Sequence, residues 1–377
     1  MALIPSDPLE IYTIITNLKN TSSTGQDQIA VKPLKIVAQW IAPVLSILIN
    51  HTFANGIFPD QLKVAKITPI HKSGDKTLLS NYRPISLLNT FSKIYEKAFL
   101  NRLYSFLNKN NIIQSNQFGF RKNHSTQSAL ISFIDMLTEK LDNNEYAVAL
   151  FIDLSKAFDT VDHQILLNKL FKYGIRGKAN DFVKSYLNNR MQYVDLNGTT
   201  SELRKIECGV PQGSILGPVL FILYVNDMHC CSHLLKLFLF ADDTTILYSA
   251  KNVTDLYKII NNELKKLTIW FEQNKLSLNI SKTTYMLFKN HKLPLELPIL
   301  LLNDNQIPLV QHTKFLGVEI DNKLNWANHI KIIENKLSSI LFIIKKIRHK
   351  LNTKTALKLY DNQFSTNLLS HNMGEDI

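Results

Sequence analysis

The 377-residue chain is strongly basic, and its composition already excludes several classes of protein. It carries 43 Lys and Arg residues against 31 Asp and Glu, a formal net charge of +12, and 45% of its residues are hydrophobic. This composition supports a folded core and indicates a polyanionic partner, either nucleic acid or an anionic membrane. The apolar stretches are much shorter than the roughly 20 residues that span a bilayer, so we do not expect a transmembrane protein.

The N-terminus and the cysteines indicate an intracellular protein of the nucleus or cytoplasm. No basic start followed by an apolar run opens the chain, so a secretory signal is not predicted. Cys208, Cys230 and Cys231 cannot all pair within one chain, and their spacing matches no zinc pattern. We interpret them as ordinary thiols in a reducing compartment.

The part of the chain before residue 110 is predicted to be mainly helical. The pattern predicts one helix over residues 33–50 and a second over residues 87–108. Arg83-Pro84 precedes the second helix and is interpreted as a turn, because proline disfavours helical backbone in the residue before it.

Further along, an aspartate directly follows a run of apolar residues. The run Tyr146–Ile152 is short and continuous, which is typical of a strand buried on both faces, and Asp153 follows it. A helix is predicted from about Asp159 to Tyr173, ending at Gly174. A strand and a helix therefore flank the acids of this segment.

A second pair of acids is predicted at the tip of a β-hairpin. Strand-like residues 234–240 precede Ala241-Asp242-Asp243, and residues 244–248 resume the strand pattern. Between the two acidic segments, the glycines and prolines of residues 209–218 predict a tight loop that leads into an apolar helix over residues 219–224.

Together, the two acidic segments suggest a site for divalent cations. A carboxylate at the end of a buried strand is costly unless its charge is compensated, so we expect the acids to converge on Mg²⁺ or Mn²⁺. Two such ions ~3.5–4 Å apart stabilise the attacking and leaving oxygens of nucleotidyl transfer. Taken singly, each acid has a simpler interpretation, with Asp159 as a helix N-cap and Asp242 as a turn residue.

Residues 331–358 form a basic segment, with eight Lys or Arg against the single acid Glu334. Its apolar residues recur at helical spacing, which predicts an amphipathic helix. A solvated surface helix explains the charge as well as a nucleic-acid contact does. The lysines available to the outer face are Lys336, Lys345, Lys346 and Lys350.

The order and spacing of these segments resemble the reverse transcriptases of non-LTR retrotransposons, especially the jockey-like elements of animals. Residues 151–163 resemble motif A of that family, residues 209–218 resemble motif B, and Phe240-Ala241-Asp242-Asp243 resembles motif C. The likeness extends from about residue 20 to residue 360. Further segments that carry it are residues 23–27, 81–86 and 117–121 upstream, and residues 279–283 and 314–318 downstream.

The resemblance implies an α+β fold shaped like a right hand, with helical fingers, a palm built on an antiparallel sheet and a partial helical thumb. It divides the chain into an N-terminal extension with a helical segment (1–61), a reverse transcriptase domain (62–318) and a basic helical thumb (319–377). The implied activity adds dNTPs to the 3′-hydroxyl of a DNA primer on an RNA template. The implied cofactors are two Mg²⁺ ions, or alternatively Mn²⁺, and no membrane partner is expected.

By the same resemblance, Asp153 and Asp242 bind both metal ions and Asp243 is a supporting carboxylate. Lys282 matches a lysine that protonates the departing pyrophosphate, and a solvated surface lysine is the alternative. We predict that Asp159 acts mainly as a helix cap.

Other residues are implied to hold the nucleotide and the primer. Arg121 is a candidate for the triphosphate, because a guanidinium grips phosphate oxygens in a bidentate way. Phe158 stands five residues after Asp153, where the family has a bulky residue that blocks a ribose 2′-hydroxyl, and an ordinary core phenylalanine is the alternative. Arg83 and Lys72 are weaker candidates for phosphate ligands. Gln212 and Gly213 are candidates to lie over the incoming nucleotide and template base, and a plain structural loop is the alternative. The candidates for the primer grip are Phe315, Leu316 and Gly317.

Two other functions remain open at this point. One is a decayed remnant that binds RNA without catalysis, and the other is a group II intron maturase, which the animal-like finger motifs and the lack of a splicing domain disfavour. Whole elements of the family also encode an endonuclease before the polymerase and further sequence after the thumb. We expect this copy to lack both and to have a truncated thumb.

Overall fold

The structure of the chain is a computed structural model that describes residues 1–196, 198–289, 297–352, 354–355 and 357–358. The helices are α1 (Pro8–Asn17), α2 (Val31–Ile36), α3 (Ala38–Asn55), α4 (Thr90–Lys109), α5 (Thr126–Asp142), α6 (His163–Lys172), α7 (Lys178–Leu187), α8 (Gly217–Val225), α9 (Val253–Gln273) and α10 (Ala327–Ile347). The strands are β1 (Val64–His71), β2 (Tyr82–Leu87), β3 (Tyr146–Ile152), β4 (Leu154–Ser155), β5 (Met191–Leu196), β6 (Thr199–Thr200), β7 (Arg204–Lys205), β8 (Lys236–Phe240), β9 (Asp243–Ala250), β10 (Ser277–Leu278), β11 (Thr284–Phe288), β12 (Leu301–Leu302), β13 (Asn305–Gln306), β14 (His312–Phe315) and β15 (Val318–Asp321). This mixture of helices and sheets confirms the α+β class.

An antiparallel sheet in the order β11-β3-β9-β8 carries both acidic segments. We call it the central sheet. Its strand β3 has the predicted bounds and sends alternate residues into two cores, because successive side chains of a strand point to opposite faces. Val148 and Leu150 join one core, and Ala147 and Ala149 join the other. The prediction of a strand buried on both faces is therefore confirmed.

Helices cover both faces of the central sheet. On one face, Phe133 and Leu137 of α5 pack in the core that contains Ala149. On the other face, Ile260 and Leu264 of α9 lie in the core that contains Leu150 and the apolar helix α8. The predicted helix over residues 219–224 is confirmed as part of α8, whose residues are all buried.

The predicted acidic hairpin is also confirmed. Strands β8 and β9 pair antiparallel, and Phe240 lies opposite Asp243, which leaves Ala241-Asp242 as a two-residue turn. Ala241 has a φ of +56°, a conformation that side chains other than glycine adopt at a cost. The first motif C acid therefore stands in a strained turn at the end of the sheet.

A second sheet corrects the mainly helical expectation for the first part of the chain. Strand β1 pairs antiparallel with β2 and parallel with β5. Arg83-Pro84, predicted as a turn, instead lies within β2, opposite Ile70 and Pro69. Proline is tolerated there because β2 is an edge strand, where a ladder hydrogen bond can be missing.

Four helix predictions need corrected boundaries. The helix over residues 33–50 is two helices, α2 and α3, because Val37 between them leaves the helical conformation with a ψ of 6°. The helix over residues 87–108 begins later, at Thr90, since Leu87 pairs with Lys66 in the second sheet.

The helix after motif A begins at His163, and its N-cap is Asp162 rather than Asp159. The Asp162 carboxylate accepts a hydrogen bond from the backbone N–H of Ile165 at 2.9 Å, the contact that defines an N-cap. Gly174, with a φ of +91°, follows the helix as predicted. The prediction of Asp159 as the helix cap was wrong.

The basic helix near the end of the chain begins at Ala327, earlier than predicted, and none of its residues is buried. A 3₁₀ turn, Arg348–Lys350, follows it. Residues 353, 356 and 359–377, within the predicted thumb, lie outside the described residues. In the described part of the chain, no helix combines the length and apolarity that crossing a membrane requires.

Candidate active site

The register of the central sheet brings the two acidic segments to one edge. Ile152, the last residue of β3, lies opposite Thr244 of β9. Asp153 therefore leaves the sheet beside Asp243 and the turn that holds Asp242. Sequence analysis predicted these three acids separately, and the pairing of β3 with β9 unites them.

The electrostatic environment of the two hairpin acids is unfavourable to further negative charge. Burial raises the pKa of Asp242, and the nearby charge of Asp153 raises it further. Burial, Asp242 and Asp153 together raise the pKa of Asp243 to about 6. Both side chains are nevertheless exposed to solvent, so the burial that acts on them comes from nearby protein atoms and does not exclude water.

Two cations of the second sheet act on these acids. Lys72 follows β1 and Arg83 lies in β2, and the positive charge of each opposes the rise in pKa of both Asp242 and Asp243. Both cations are exposed. They are the residues that sequence analysis named as weaker phosphate ligands, and the structure brings them within electrostatic reach of the acids.

Asp153 has partners of its own in the segment 279–283. Its Oδ2 accepts a hydrogen bond from Asn279 Nδ2 at 2.7 Å and lies 3.8 Å from Lys282 Nζ. The Asn279 backbone N–H also donates to the Asp153 carbonyl at 2.9 Å. Sequence analysis predicted Lys282 at this site but gave Asn279 no role, although Asn279 is the first residue of the segment 279–283 that resembles the family.

The donor set suits a hard divalent cation by chemistry and charge. Carboxylate oxygens are the ligands that Mg²⁺ and Mn²⁺ prefer, and a cation would relieve the mutual repulsion of Asp153, Asp242 and Asp243. Within the described ranges, however, no three His, Cys, Asp or Glu side chains are gathered closely enough to hold a metal ion. Coordination would therefore require the carboxylates to turn towards a shared ion.

The loop formed by residues 209–218, called here the motif B loop, joins motif A to the second sheet. Val210 N–H donates to the Phe158 carbonyl at 2.8 Å. The Gln212 carbonyl accepts from Ser86 N–H at 2.7 Å, and Gln212 Nε2 donates to Asp159 Oδ1 at 3.0 Å. Asp159 is thus a partner of the loop.

Gly213 allows the loop to approach strand β2 closely. Its φ is +109°, and a Cβ atom there would lie 2.6 Å from the Ser86 carbonyl oxygen, closer than real Cβ atoms come. The glycine is therefore required for packing. Its predicted place over the nucleotide remains a prediction.

Phe158 lies in an aromatic stack and is only partly buried. Its ring stacks on Phe221 with centroids 4.7 Å apart and meets Phe120 edge to face at 6.4 Å. This arrangement fixes the ring beside Asp159. The steric-gate role of Phe158 stays a prediction, with core packing as its alternative.

The segment 117–121 supports the acidic turn. Phe118 N–H donates to the Leu239 carbonyl at 2.7 Å. The Gln117 side-chain oxygen accepts from Gly119 N–H at 2.8 Å and from Ala241 N–H at 3.4 Å. Gln117, which sequence analysis left without a role, is buried and links this segment to the turn that carries Asp242.

Arg121 holds its own loop and lines a basic cleft. Its Nη1 donates to the carbonyls of Gln114 and Gln117 at 2.8 and 3.0 Å, and burial lowers the pKa of its guanidinium. The cleft has a volume of about 970 Å³ and reaches Gly213 and Phe240, although the three acids are not part of its lining. Its basic residues include Lys19, Lys93, Lys97, Arg121 and Lys122.

The predicted primer grip forms the hairpin of β14 and β15. Leu316 and Gly317 make its turn, with φ values of +45° and +90°. Phe315 is buried, with its ring centroid 5.1 Å from that of Phe133 and 5.7 Å from that of Phe151. The hairpin is therefore anchored to the central sheet two residues before Asp153.

Comparison with known proteins identifies the family of the chain. Residues 70–320 match the family described as Reverse transcriptase (RNA-dependent DNA polymerase). The chain belongs to this reverse transcriptase family.

Its relatives are the polymerases of non-LTR retrotransposons. The RNA-directed DNA polymerase from mobile element jockey of Drosophila melanogaster is 31% identical over 363 residues, which cover 93% of this chain and 39% of that protein. The probable RNA-directed DNA polymerases from transposon BS and transposon X-element of the same organism are 30% and 29% identical, over 94% and 97% of this chain and 40% and 41% of their own lengths. The chain thus spans about two fifths of the curated relatives it matches.

Proposed function

We propose that this chain is the polymerase region of a non-LTR retrotransposon and adds dNTPs to a primer 3′-hydroxyl on an RNA template. The observation that carries the proposal is the sheet register that sets Asp153 beside Asp242 and Asp243. In this proposal, the central sheet is the palm, the β1–β2 hairpin belongs to the fingers, and α10 begins the thumb.

The three acids would hold two Mg²⁺ ions, or Mn²⁺. When bound, these ions stabilise the attacking and leaving oxygens of the phosphoryl transfer. The side chains around the acids bind the triphosphate and supply a proton. Lys72 and Arg83 attract the triphosphate, and Lys282 holds a proton near the site for the departing pyrophosphate.

Other basic and aromatic groups have roles in binding nucleic acid. Phe158 would exclude the ribose 2′-hydroxyl, and the Leu316-Gly317 turn would support the primer. The basic cleft beside Arg121 and the exposed lysines near the end of the chain would attract phosphate backbones. These lysines are Lys336, Lys345, Lys346 and Lys350.

RNA-templated primer extension tests the proposal directly. Purified protein, a DNA primer annealed to RNA, dNTPs and Mg²⁺ should give extended primer, and excess chelator should stop the reaction. Tight binding of the template-primer without extension in either Mg²⁺ or Mn²⁺ would instead favour an inactive RNA-binding remnant.

A further inference from the structure

Helix α4 carries a buried acid that the mechanism above does not use. Glu96 is 0% exposed and lies among the buried apolar residues Ile94, Tyr95 and Phe99. Burying a carboxylate is costly unless hydrogen bonds satisfy it, so its partners indicate what the acid does.

The Glu96 carboxylate contacts the end of the motif B loop. Its Oε2 accepts hydrogen bonds from the backbone N–H groups of Ile215 at 2.8 Å and Leu216 at 3.1 Å. Ser92 Oγ donates to Oε1 at 2.8 Å, and the Tyr186 hydroxyl also donates to Oε2 at 3.3 Å. Both oxygens of the carboxylate are therefore engaged.

These contacts cap a helix from outside. Leu216 is the N-cap of α8 and has no side chain that could satisfy the free N–H groups there. Ser214 Oγ accepts from Gly217 N–H at 2.9 Å, and Glu96 supplies the acceptor for the two preceding N–H groups from α4. A negative charge is favourable at a helix N-terminus. Removal of the carboxylate would leave the buried N–H of Leu216 and the partly buried N–H of Ile215 without this acceptor.

The motif B loop needs such a support because it contains flexible residues. Gly209 and Gly213 both have positive φ values, +87° and +109°, and glycine loses more conformational freedom on folding than any other residue. Ser86 and Asp159 hold the loop at Gln212. Glu96 holds it at Ile215 and Leu216, where it enters α8.

We propose that Glu96 is a positioning residue that fixes the motif B loop in the conformation that accepts the incoming dNTP. The inference rests on the proposed polymerase function for its kinetic consequence. Its structural part, the clamp on Ile215 and Leu216, is independent of activity. Burial raises the pKa of Glu96, and the charge of the buried Arg190 opposes that rise. Arg190 belongs to the same network, since its Nη1 donates to the Tyr186 carbonyl at 3.2 Å.

The kinetic test compares Glu96→Met, which has no acceptor, with Glu96→Gln, which keeps an oxygen for the two N–H groups. Single-nucleotide addition at saturating template-primer should give a dNTP KM about tenfold or more higher for Glu96→Met, with a smaller change in kcat, and Glu96→Gln should lie between it and wild type. Ile49→Ala, a fully buried core change in α3, is the control for general destabilisation. An unchanged dNTP KM in folded Glu96→Met, or an equal rise in Ile49→Ala, would overturn the proposal.

Amide hydrogen exchange tests the clamp without any need for activity. Ile215 and Leu216 should lose protection in Glu96→Met, while Ile14 and Ile15 of α1 stay protected. If Glu96→Met does not fold, Ser92→Ala combined with Tyr186→Phe removes the two hydroxyl groups that donate to Glu96 and should increase exchange at the same amides. A wild-type protein that binds but does not polymerise would refute the proposed function alone, whereas unchanged exchange at Ile215 and Leu216 would refute the role of Glu96.

Discussion

Asn279 Nδ2 donates a hydrogen bond to Asp153 Oδ2 over 2.7 Å, so an amide on one strand end fixes the carboxylate on another. The orientation of the amide is itself set, because Asn279 Oδ1 accepts a hydrogen bond from Ser281 Oγ at 2.8 Å. Groups that orient a metal ligand are often nearly as important as the ligand.

We expect Asn279→Ala to reduce the rate of single-nucleotide addition by about 10–100-fold, the usual effect of removing a partner of a metal ligand. Template-primer affinity should stay near that of wild type, since Asn279 holds a carboxylate rather than a phosphate. Asn261→Ala is the control, because it removes a half-buried Asn of α9 that donates to the Ile299 carbonyl and accepts from Leu301 N–H, away from the acids. Equal rates for Asn279→Ala and Asn261→Ala would remove Asn279 from the site.

Gly119 is expected to be irreplaceable because it lies against the acidic turn. A Cβ atom there would overlap the backbone nitrogen of Ala241 and lie 3.0 Å from the Phe240 carbonyl carbon. Gly119→Ala should therefore displace Asp242 and lower the addition rate by on the order of a hundredfold, since small misplacements of reacting groups are costly.

Gly177→Ala separates this effect from a loss of stability. Gly177 has a φ of +59° but open space around its Cα, so alanine there costs about 1–3 kcal/mol of backbone strain without touching the site. Urea unfolding should show both variants destabilised, while activity falls in Gly119→Ala only. A Gly119→Ala protein with wild-type activity would contradict the proposed contact.

Asp162 should stabilise the fold more than Asp159, because only Asp162 caps α6. Asp162→Ala is expected to lower the free energy of unfolding by about 1 kcal/mol, whereas Asp159→Asn keeps an acceptor for Gln212 and should lower it less. Urea unfolding at neutral pH measures both. A larger loss for Asp159→Asn would restore the original cap assignment.

The stabilisation by Asp162 should also depend on pH. Burial alone would raise the pKa of Asp162, but hydrogen bonds from Lys275 and Ile165 hold it below its usual value. A carboxyl whose pKa is lower in the folded state stabilises fully above its unfolded pKa and loses that effect as pH falls. The difference between wild type and Asp162→Ala should therefore shrink below about pH 4.

The parts of the fold that could be predicted from the sequence are those whose signal lies within a short stretch of neighbouring residues. The run Tyr146–Ile152 and the hairpin around Asp242 each carry their signal within a few residues, so their bounds and burial could be inferred. The helical apolar spacing of α9, seen in Leu256, Ile260 and Leu264, was also available in the sequence and was missed.

Contacts between distant segments could not be inferred in the same way. The parallel pairing of β1 with β5 joins residues more than a hundred apart, such as Val64 and Met191, and no local pattern encodes it. The same holds for the hydrogen bond between Asn279 and Asp153 and for the proximity of Lys72 to the acids. Arg83-Pro84 was interpreted as a turn because local proline rules do not reveal an edge strand.

Phe158→Val should weaken discrimination against rNTPs if the ring excludes the 2′-hydroxyl. We expect the ratio of dNTP to rNTP incorporation to fall by about tenfold or more. Phe221→Leu disturbs the same stack from its buried side and should lower stability without admitting rNTPs. Unchanged discrimination in folded Phe158→Val would return Phe158 to a packing role.

The most direct measurement of the central claim is single-nucleotide addition by Asp242→Asn on an RNA template with Mg²⁺. The substitution keeps the size of the side chain and removes the charge, and Asp135→Asn, an exposed acid of α5, is the matched control. We predict a loss of about a thousandfold or more in rate for Asp242→Asn, because a metal ligand contributes several kcal/mol to transition-state stabilisation, with normal template-primer binding and an unaffected control. A folded Asp242→Asn protein that extends primers at nearly the wild-type rate would contradict the assignment of this site.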